Sequence, residues 1–540
     1  MAKSDSTLFG KRKKMICLFR YFIMNRDDTI VRIKSKDIWD VIVIGGGASG
    51  LGIAVEAANR GYATLLVEQS DFAKSTSSKS TKLVHGGVRY LAQGNISLVR
   101  EASIERGLLT KNAPHLIKNQ TFIIPVYNWW SRLKYTMGLK LYDWISGHLS
   151  LGPSLFIPRK EVLEKLPGII SKNLAGGVLY HDGQFDDARL AINLAQTVFD
   201  NGGYAANYIK VIGLIKEEEK VCGVIVFDTE SNEHFPIKSK VVINATGVFV
   251  DEILQMDKPD ARKNIAASQG IHLVLDKKFF PGSNAMMIPE TSDGRVLFIV
   301  PWHNKLLMGT TDTPVKDISL EPVAMETEVQ FILETAGNYL TETPTRKEIL
   351  SVFAGLRPLA ATADGSETKE ISRGHKILVS QSGLFSIIGG KWTTYRKMGE
   401  DMIDRVEKEL AWSHVPSTTS SLHIHGYTTE PEQNDPLCFY GSDKIFIKRI
   451  IHEKNNEWIS KKLQINKAQV IWAVREEMAR TVEDVLSRRT RALLLDAKES
   501  IRIAPLVAKV MEIEMKKDES WSNGQVELFK SIAKNYVLEN

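Results

Sequence analysis

The feature that most constrains this chain is a glycine cluster set between a strand and a helix. Asp40-Val41-Ile42-Val43-Ile44 is a continuous run rich in β-branched residues, Gly45-Gly46-Gly47-Ala48-Ser49-Gly50 follows at once, and Leu51 to Arg60 has helical composition. A short apolar run of this kind reads as a buried parallel strand. Gly61 is placed as the helix stop, and Tyr62 to Glu68 reads as a second strand. The unit is βαβ with a G-x-G-x-x-G turn. Gly45 makes the turn, Gly47 lets backbone approach a pyrophosphate, and Gly50 lets helix pack on strand. Glycine clusters also mark ordinary turns, but here Glu68 closes the second strand, where a carboxylate accepts a ribose hydroxyl. The pattern predicts a dinucleotide held at a helix N-terminus.

Further along, the rhythm changes. Apolar runs at Tyr208–Ile215, Val221–Phe227 and Val241–Ile243, separated by polar turns, predict an antiparallel three-strand meander. Asn244-Ala245-Thr246-Gly247 then ends a strand with small residues, which suits close approach to the same dinucleotide. Leu384–Ile388 leads into Gly389-Gly390-Lys391 and a helix from about Thr394 to Leu410. There, backbone N–H groups and the helix dipole can face developing negative charge. Residues 411–426 are rich in Ser and Thr and read as a linker. Charged, amphipathic helical patterns follow at about 443–463, 467–497 and 500–517.

Composition sets the limits. The chain has 540 residues, 43% hydrophobic and 25% charged, which is a globular balance with room for a buried cofactor. Cys17, Cys222 and Cys438 are far apart and form no C-x-x-C. That excludes a disulfide framework, a four-cysteine iron–sulfur cluster and a thiolate zinc site, and no metal is expected. The net charge is +6, and residues 1–36 hold ten Lys and Arg against three Asp. The rest is close to neutral, so no nucleic-acid footprint is expected. In this basic extension Lys11-Arg12-Lys13-Lys14 precedes Met15 to Met24, an apolar run interrupted by Arg20 and followed by no small-residue cleavage site. It is too short to span a bilayer, and no transmembrane helix is expected. Three readings stay open: an unstructured tail or residues upstream of a start at Met24, a segment lying on an anionic membrane surface, and a transit peptide.

Asp40–Gly52, Ser77–Leu91 (SSKSTKLVHGGVRYL), Asn244–Gly247, Gly355–Leu359 (GLRPL), Gly389–Arg396 (GGKWTTYR) and Glu476–Ala497 (EEMARTVEDVLSRRTRALLLDA) together resemble the FAD-dependent, quinone-linked glycerol-3-phosphate dehydrogenase family. The resemblance covers about residues 37–520. It implies an α/β fold: a glutathione-reductase-like FAD-binding Rossmann domain (37–125, 175–268 and 350–410) with an inserted antiparallel-sheet substrate-binding domain (126–174 and 269–349). An all-α C-terminal domain (427–540) follows the linker. Two departures stand out: the long tail, and the lack of a D-x-D-x-D-G calcium loop, which speaks against the calcium-regulated mitochondrial branch.

The resemblance implies oxidation of glycerol 3-phosphate to dihydroxyacetone phosphate by hydride transfer to FAD. Electrons then pass to membrane quinone. The location implied is cytoplasmic, peripheral on the inner face of the cell membrane, and a homodimer is compatible with it. Alternatives are a glycerol-3-phosphate oxidase using O₂, an amino-acid-oxidase-like flavoenzyme and a non-catalytic flavin-binding subunit. The FAD contacts implied are Gly45, Gly46, Gly47, Ala48, Ser49, Gly50, Glu68, Gln69, Ser77, Ser78, Thr81, Lys82, His85, Gly86, Gly87, Ala245, Thr246, Gly247, Gly390, Lys391 and Thr393. A phosphate dianion calls for guanidinium, and Arg89 and Arg357 are the candidates, with Tyr90 and Thr394 beside them as hydroxyl donors. Loss of hydride from carbon requires a base for the hydroxyl proton. His272, at the start of an apolar strand, is the first candidate and His85 the second, while Lys391 offers positive charge to the reduced cofactor.

Overall fold

Trp39–Ile44 (β1) lies inside the first sheet, with five of its six residues buried. It pairs in parallel with Thr64–Val67 (β2) on one side and with the end of Glu233–Asn244 (β10) on the other. Tyr204–Ala206 (β7) extends the sheet beyond β2, and Phe385–Gly389 (β18) and His375–Val379 (β17) extend it beyond β10. Ala48–Asn59 (α2) follows β1 and packs between Asp187–Asp200 (α5) and Tyr395–Glu409 (α6). The computed structural model describes residues 24–87, 95–147, 150–291, 294–361, 374–454 and 456–539.

The meander is present, with one correction. Ile209–Glu217 (β8) and Lys220–Asp228 (β9) pair antiparallel, and the third strand is Glu233–Lys238 rather than Val241–Ile243. β10 is twelve residues long, enough to serve the meander with its first half and β1 with its second.

A second sheet of ten strands stands against the first. It holds Leu83–Val84 (β3), Ile117–Val126 (β4), Leu155–Pro158 (β5), Gly176–Phe185 (β6), Ile265–Asp276 (β11), Ala285–Ile288 (β12), Leu297–Trp302 (β13), Lys305–Gly309 (β14), Thr313–Pro314 (β15) and Ile349–Ala360 (β16). All its pairings are antiparallel except β12 with β4. The boundaries drawn from sequence gave β4, β6 and β16 to the FAD-binding part. Their ladders place them in this second sheet, and their alternate residues enter the two apolar cores on its opposite faces. Ile96–Asn112 (α3) and Trp129–Ser146 (α4) pack together beside β4 and β6.

Both ends of the chain differ from the sequence reading. Part of the basic extension belongs to the fold: Arg26–Ser35 (α1) is a helix capped by Asn25, and the buried Arg26 pairs with Asp228 at 2.7 Å. Met15–Ile23 and the basic run before them lie outside the described residues. The segment read as a linker is pinned to α2, with Ser417 donating to Glu56 at 3.0 Å and Thr418 to Asn59 at 2.6 Å. The C-terminal region carries Lys444–Glu453 (α7), Lys467–Glu476 (α8), Ala497–Glu514 (α9) and Glu519–Ala533 (α10), but also a hairpin of Trp458–Ser460 with Ile465–Asn466. The pattern over 467–497 is not one helix. α8 stops at Glu476 and a π-helical turn covers Asp484–Arg489. The break turns charges inward: Arg189 pairs with Glu477 at 2.8 Å, and Arg489 donates to the Glu477 carbonyl at 2.6 Å. Among the described residues no helix is long and apolar enough to cross a membrane.

Candidate active site

The C-terminal ends of β1, β2 and β10 and the facing strands β11 and β16 enclose a cavity of about 500 Å³. Its nucleotide end is built from backbone. Gly45, with φ +109°, turns the chain, and a Cβ on Gly50 would stand 1.9 Å from the Gly45 carbonyl oxygen. Gly50 therefore packs helix on strand and does not line the cavity. Gly47, Ala48 and Ser49 do, so α2 presents its N-terminus there. A Cβ on Gly47 would meet only the Ser77 hydroxyl, at 3.1 Å. The Ala48 N–H donates to that hydroxyl at 3.0 Å.

Glu68 and Gln69 line the next stretch, facing Ala245, Thr246 and Gly247. The N–H groups of Gly46 and Ser70 donate to the two Glu68 oxygens at 2.6 and 2.9 Å. Burial pushes this carboxyl up, and those two N–H groups offset part of the effect. Each oxygen keeps a lone pair for a further donor. The backbone therefore fits a dinucleotide: a helix N-terminus for pyrophosphate, a carboxylate for ribose, and open space above Gly47.

Ser77, Thr81, His85, Gly390, Lys391 and Thr393 line the middle of the cavity, and the Trp392 indole holds the Ser77 carbonyl at 2.8 Å. Several expected contacts are set back. Gly46 serves Glu68. Lys82 is fully buried, its ammonium 2.7 Å from Asp187 and 2.6 Å from the carbonyl of Ser78, so neither Lys82 nor Ser78 reaches the cavity. Gly86 packs on α4, where a Cβ would stand 2.0 Å from the Tyr142 hydroxyl, and Gly87 is also away from the wall. Thr394 turns its hydroxyl to the Lys391 carbonyl at 3.4 Å rather than to the cavity. Arg89 and Tyr90 lie outside the described residues.

The far end is formed by β11 and β16, whose register sets Ser268 opposite Arg357 and His272 opposite Phe353. His272 lies in the middle of β11, not at its start. Its ring stacks on Phe353 at 5.0 Å, and Nε2 is 2.9 Å from the Thr81 hydroxyl. Nδ1 has no hydrogen-bond partner among the described residues. Burial, then the positive charges of Lys82 and Arg357, push its pKa well below 6.5, so the ring is neutral at neutral pH. Arg357 is a third exposed; Nη2 donates to the Thr310 hydroxyl and the Thr311 carbonyl, both at 2.9 Å. Nη1 makes longer contacts, 3.2 Å to Asp312 and 3.3 Å to the Gln269 carbonyl. A Cβ at Gly270 would stand 2.3 Å from Nη2, so the glycine opens the space the guanidinium occupies.

Thr310, Asp312, Asp182 and Arg295 also line the cavity and were not legible in the sequence. Asp182 acquires its place through Arg106, 76 positions away, at 2.8 Å. No local pattern marks the other three.

Comparison with known proteins agrees with this geometry. The sequence profile of FAD dependent oxidoreductases (DAO) matches residues 40–396, and that of the C-terminal domain of alpha-glycerophosphate oxidase matches residues 387–522. Fold, cavity and profile define an FAD-dependent oxidoreductase. The mitochondrial glycerol-3-phosphate dehydrogenase of Bos taurus is 36% identical, covering 93% of this chain and 74% of its own length; that of Homo sapiens is 35% identical over the same shares. The structure of the Bacillus halodurans glycerol-3-phosphate dehydrogenase complexed with FAD is 30% identical, with a TM-score of 0.78 over 95% of this chain and 97% of that one. The chain belongs to the glycerol-3-phosphate dehydrogenase family. Both animal relatives are mitochondrial, the branch the missing calcium loop spoke against, and this chain spans about three quarters of each.

Proposed function

We propose that the protein oxidises glycerol 3-phosphate to dihydroxyacetone phosphate with FAD and delivers the electrons to a membrane quinone. The observation that carries the reading is one cavity with a dinucleotide cradle at one end and Arg357 and His272 together at the other. FAD, when bound, accepts the hydride from carbon. The N-terminus of α2 holds its pyrophosphate and Glu68 a ribose hydroxyl. Arg357 binds the substrate phosphate through Nη1, whose contacts to Asp312 and the Gln269 carbonyl are longer than those of Nη2 and so easier to exchange. His272 takes the hydroxyl proton at Nε2, directly or through the Thr81 hydroxyl that faces it. Its neutrality keeps it competent as a base, and the phosphate charge offsets the cations that depress it. His85 is the second candidate, favoured by its half-buried position on the cavity wall. Lys391 places positive charge at the Gly389–Thr393 junction, where reduction adds negative charge.

The lipid-soluble acceptor is supported by the apolar side chains of Phe122, Met287 and Phe298 on another part of the wall. On this reading the protein works peripherally on the inner face of the cell membrane. Anaerobic mixing of the FAD-loaded protein with glycerol 3-phosphate should bleach the visible flavin spectrum. A quinone analogue should restore it without stoichiometric peroxide. Peroxide in step with substrate would make the protein an oxidase, and bleaching by an amino acid but not by glycerol 3-phosphate would replace the substrate.

A further inference from the structure

α4 has two unlike faces. Leu139 and Tyr142 are buried, whereas Trp129, Trp130, Leu133, Met137, Leu141 and Trp144 are exposed, the three tryptophans by 61%, 74% and 78%. At about 100° per residue these six positions fall within an arc of about 120°, directly opposite the buried pair. Among the described residues no other helix exposes more than two large apolar side chains. Scattered exposure is ordinary, but a continuous stripe of this kind marks a surface that something covers.

Charge decides what covers it. Arg132, Lys134 and Lys140 are exposed on the same helix. Lys134 lies just beyond one edge of the stripe, in an exposed pair with Glu290 at 3.5 Å, and Lys140 lies just inside the other edge. Asp143, the helix's one carboxylate, is turned onto Ser154, accepting from its N–H at 2.6 Å and its hydroxyl at 2.9 Å. Tryptophan at both ends, aliphatic side chains between and lysines at and just within the margin fit a helix lying in the headgroup region of anionic lipid. Lysine is depleted from protein–protein interfaces, which sets a second copy of the chain behind lipid as the occupant.

The buried face runs straight to the cavity. The Tyr142 hydroxyl accepts from Arg106 at 2.6 Å, Arg106 pairs with Asp182 at 2.8 Å, and Asp182 lines the cavity and takes the Gly86 N–H at 3.2 Å. A surface seated on lipid here puts one wall of the cavity next to the bilayer. We propose that the outer stripe of α4 is the surface by which this protein docks on an anionic membrane. The proposal rests on the quinone-linked reading only for its purpose; the docking itself stands on the helix.

The test is flotation of the FAD-loaded full-length protein with phosphatidylcholine vesicles, with and without phosphatidylglycerol. The comparison is a Trp129→Ser/Trp130→Ser/Trp144→Ser variant and a milder Lys134→Glu/Lys140→Glu variant. The wild type should float with anionic vesicles, the tryptophan variant should lose about tenfold or more of that partition, and the lysine variant should lose the preference for anionic lipid. FAD content and glycerol-3-phosphate-dependent reduction of a soluble dye should be unchanged in both variants, which shows that they fold. Equal flotation of wild type and tryptophan variant would overturn the proposal, as would a wild type that fails to float. A tryptophan variant that turns a dimer into a monomer in sedimentation, with vesicle binding intact, would assign the stripe to self-association instead. Loss of dye reduction in the wild type would remove the proposed reaction and leave the flotation result to decide docking separately.

Discussion

Glu68 and Asp71 stand three residues apart in one loop and belong to two differently built regions. Glu68 faces the cavity, is held by two backbone N–H groups, and its carboxyl is pushed up by burial. Asp71 faces the seam with the C-terminal region. It accepts from Arg488 and, at 2.6 and 2.9 Å, from both Nη atoms of Arg489, all three side chains being buried. Burial alone would raise the Asp71 carboxyl too, but the two guanidinium groups outweigh it and hold it below the usual carboxylate range. Arg488 also reaches Glu483 and Asp484, each at 2.8 Å. A carboxylate held only by backbone N–H groups keeps lone pairs for a ligand. One shared between two guanidinium groups has none to give and serves the fold.

The contrast is broken most forcefully at Asp71. Asp71→Ala leaves two buried guanidinium groups without their shared partner and should cost about 3–5 kcal/mol of unfolding free energy. Denaturant titration measures it, and a loss below about 1 kcal/mol would make the seam an ordinary surface ion pair. Arg357 is the opposite kind of arginine, a third exposed at the wall of a cavity. Arg357→Ala should raise KM for glycerol 3-phosphate about 30- to 4,000-fold, the worth of a partly desolvated charge pair, while the denaturation midpoint moves little. A variant with normal kinetics and lowered stability would put Arg357 in the class of Arg489. Glu68→Ala should weaken FAD binding by about 1–3 kcal/mol, read by equilibrium titration of the apoprotein. Destabilisation of the apoprotein as large as that of Asp71→Ala would erase the distinction between the two carboxylates.

An effect of similar size sharpens the comparison elsewhere. His425 lies 2.7 Å from Asp200 and 3.0 Å from Asp443. Burial lowers its pKa, but the two carboxylates dominate and raise it to about 10. A group whose folded pKa exceeds its unfolded value of 6.5 contributes fully below that value and loses its contribution as pH rises toward about 10. Solvent at Asp200 screens the cluster, so the wild type should lose about 2 kcal/mol of stability between about pH 7 and 10 relative to His425→Gln. Parallel stability profiles for the two proteins would contradict the assignment.

The two regions were also unequally legible. The nucleotide end could be read because a turn, a close backbone approach and a strand-end carboxylate impose residue types at fixed spacing, from Gly45 to Glu68. The seam could not. Residues 467–497 have the charge density of a solvated helix, and only the fold reveals that Glu477, Asp484, Arg488 and Arg489 are buried against residues such as Asp71 and Arg189, hundreds of positions away. Lys82 misled for the same reason: the resemblance set it among the FAD contacts, and only the fold shows that it is buried against Asp187. Arg357 and His272 were singled out in the sequence and both line the cavity, but Asp312 and Thr310, which contact Arg357, carry no local signal. The stripe on α4 was present in the sequence as Trp129, Trp130 and Trp144 and went unread, because its exposure becomes visible only once the opposite face is packed.

The central claim is that the substrate's proton leaves through His272, at the end of the cavity away from the glycine turn. Stopped-flow flavin reduction by glycerol 3-phosphate, normalised to bound FAD and followed from about pH 5.5 to 9, tests it most directly. Because burial and the nearby cations hold His272 below its ordinary pKa, any acid limb that this residue gives the wild-type rate should be centred below pH 6.5, and His272→Ala should lack it. His272→Ala should retain FAD and lose about 10²- to 10⁴-fold in reduction rate, the usual worth of a positioned general base. A normalised rate that falls by less than about threefold would contradict the claim and pass the role to His85.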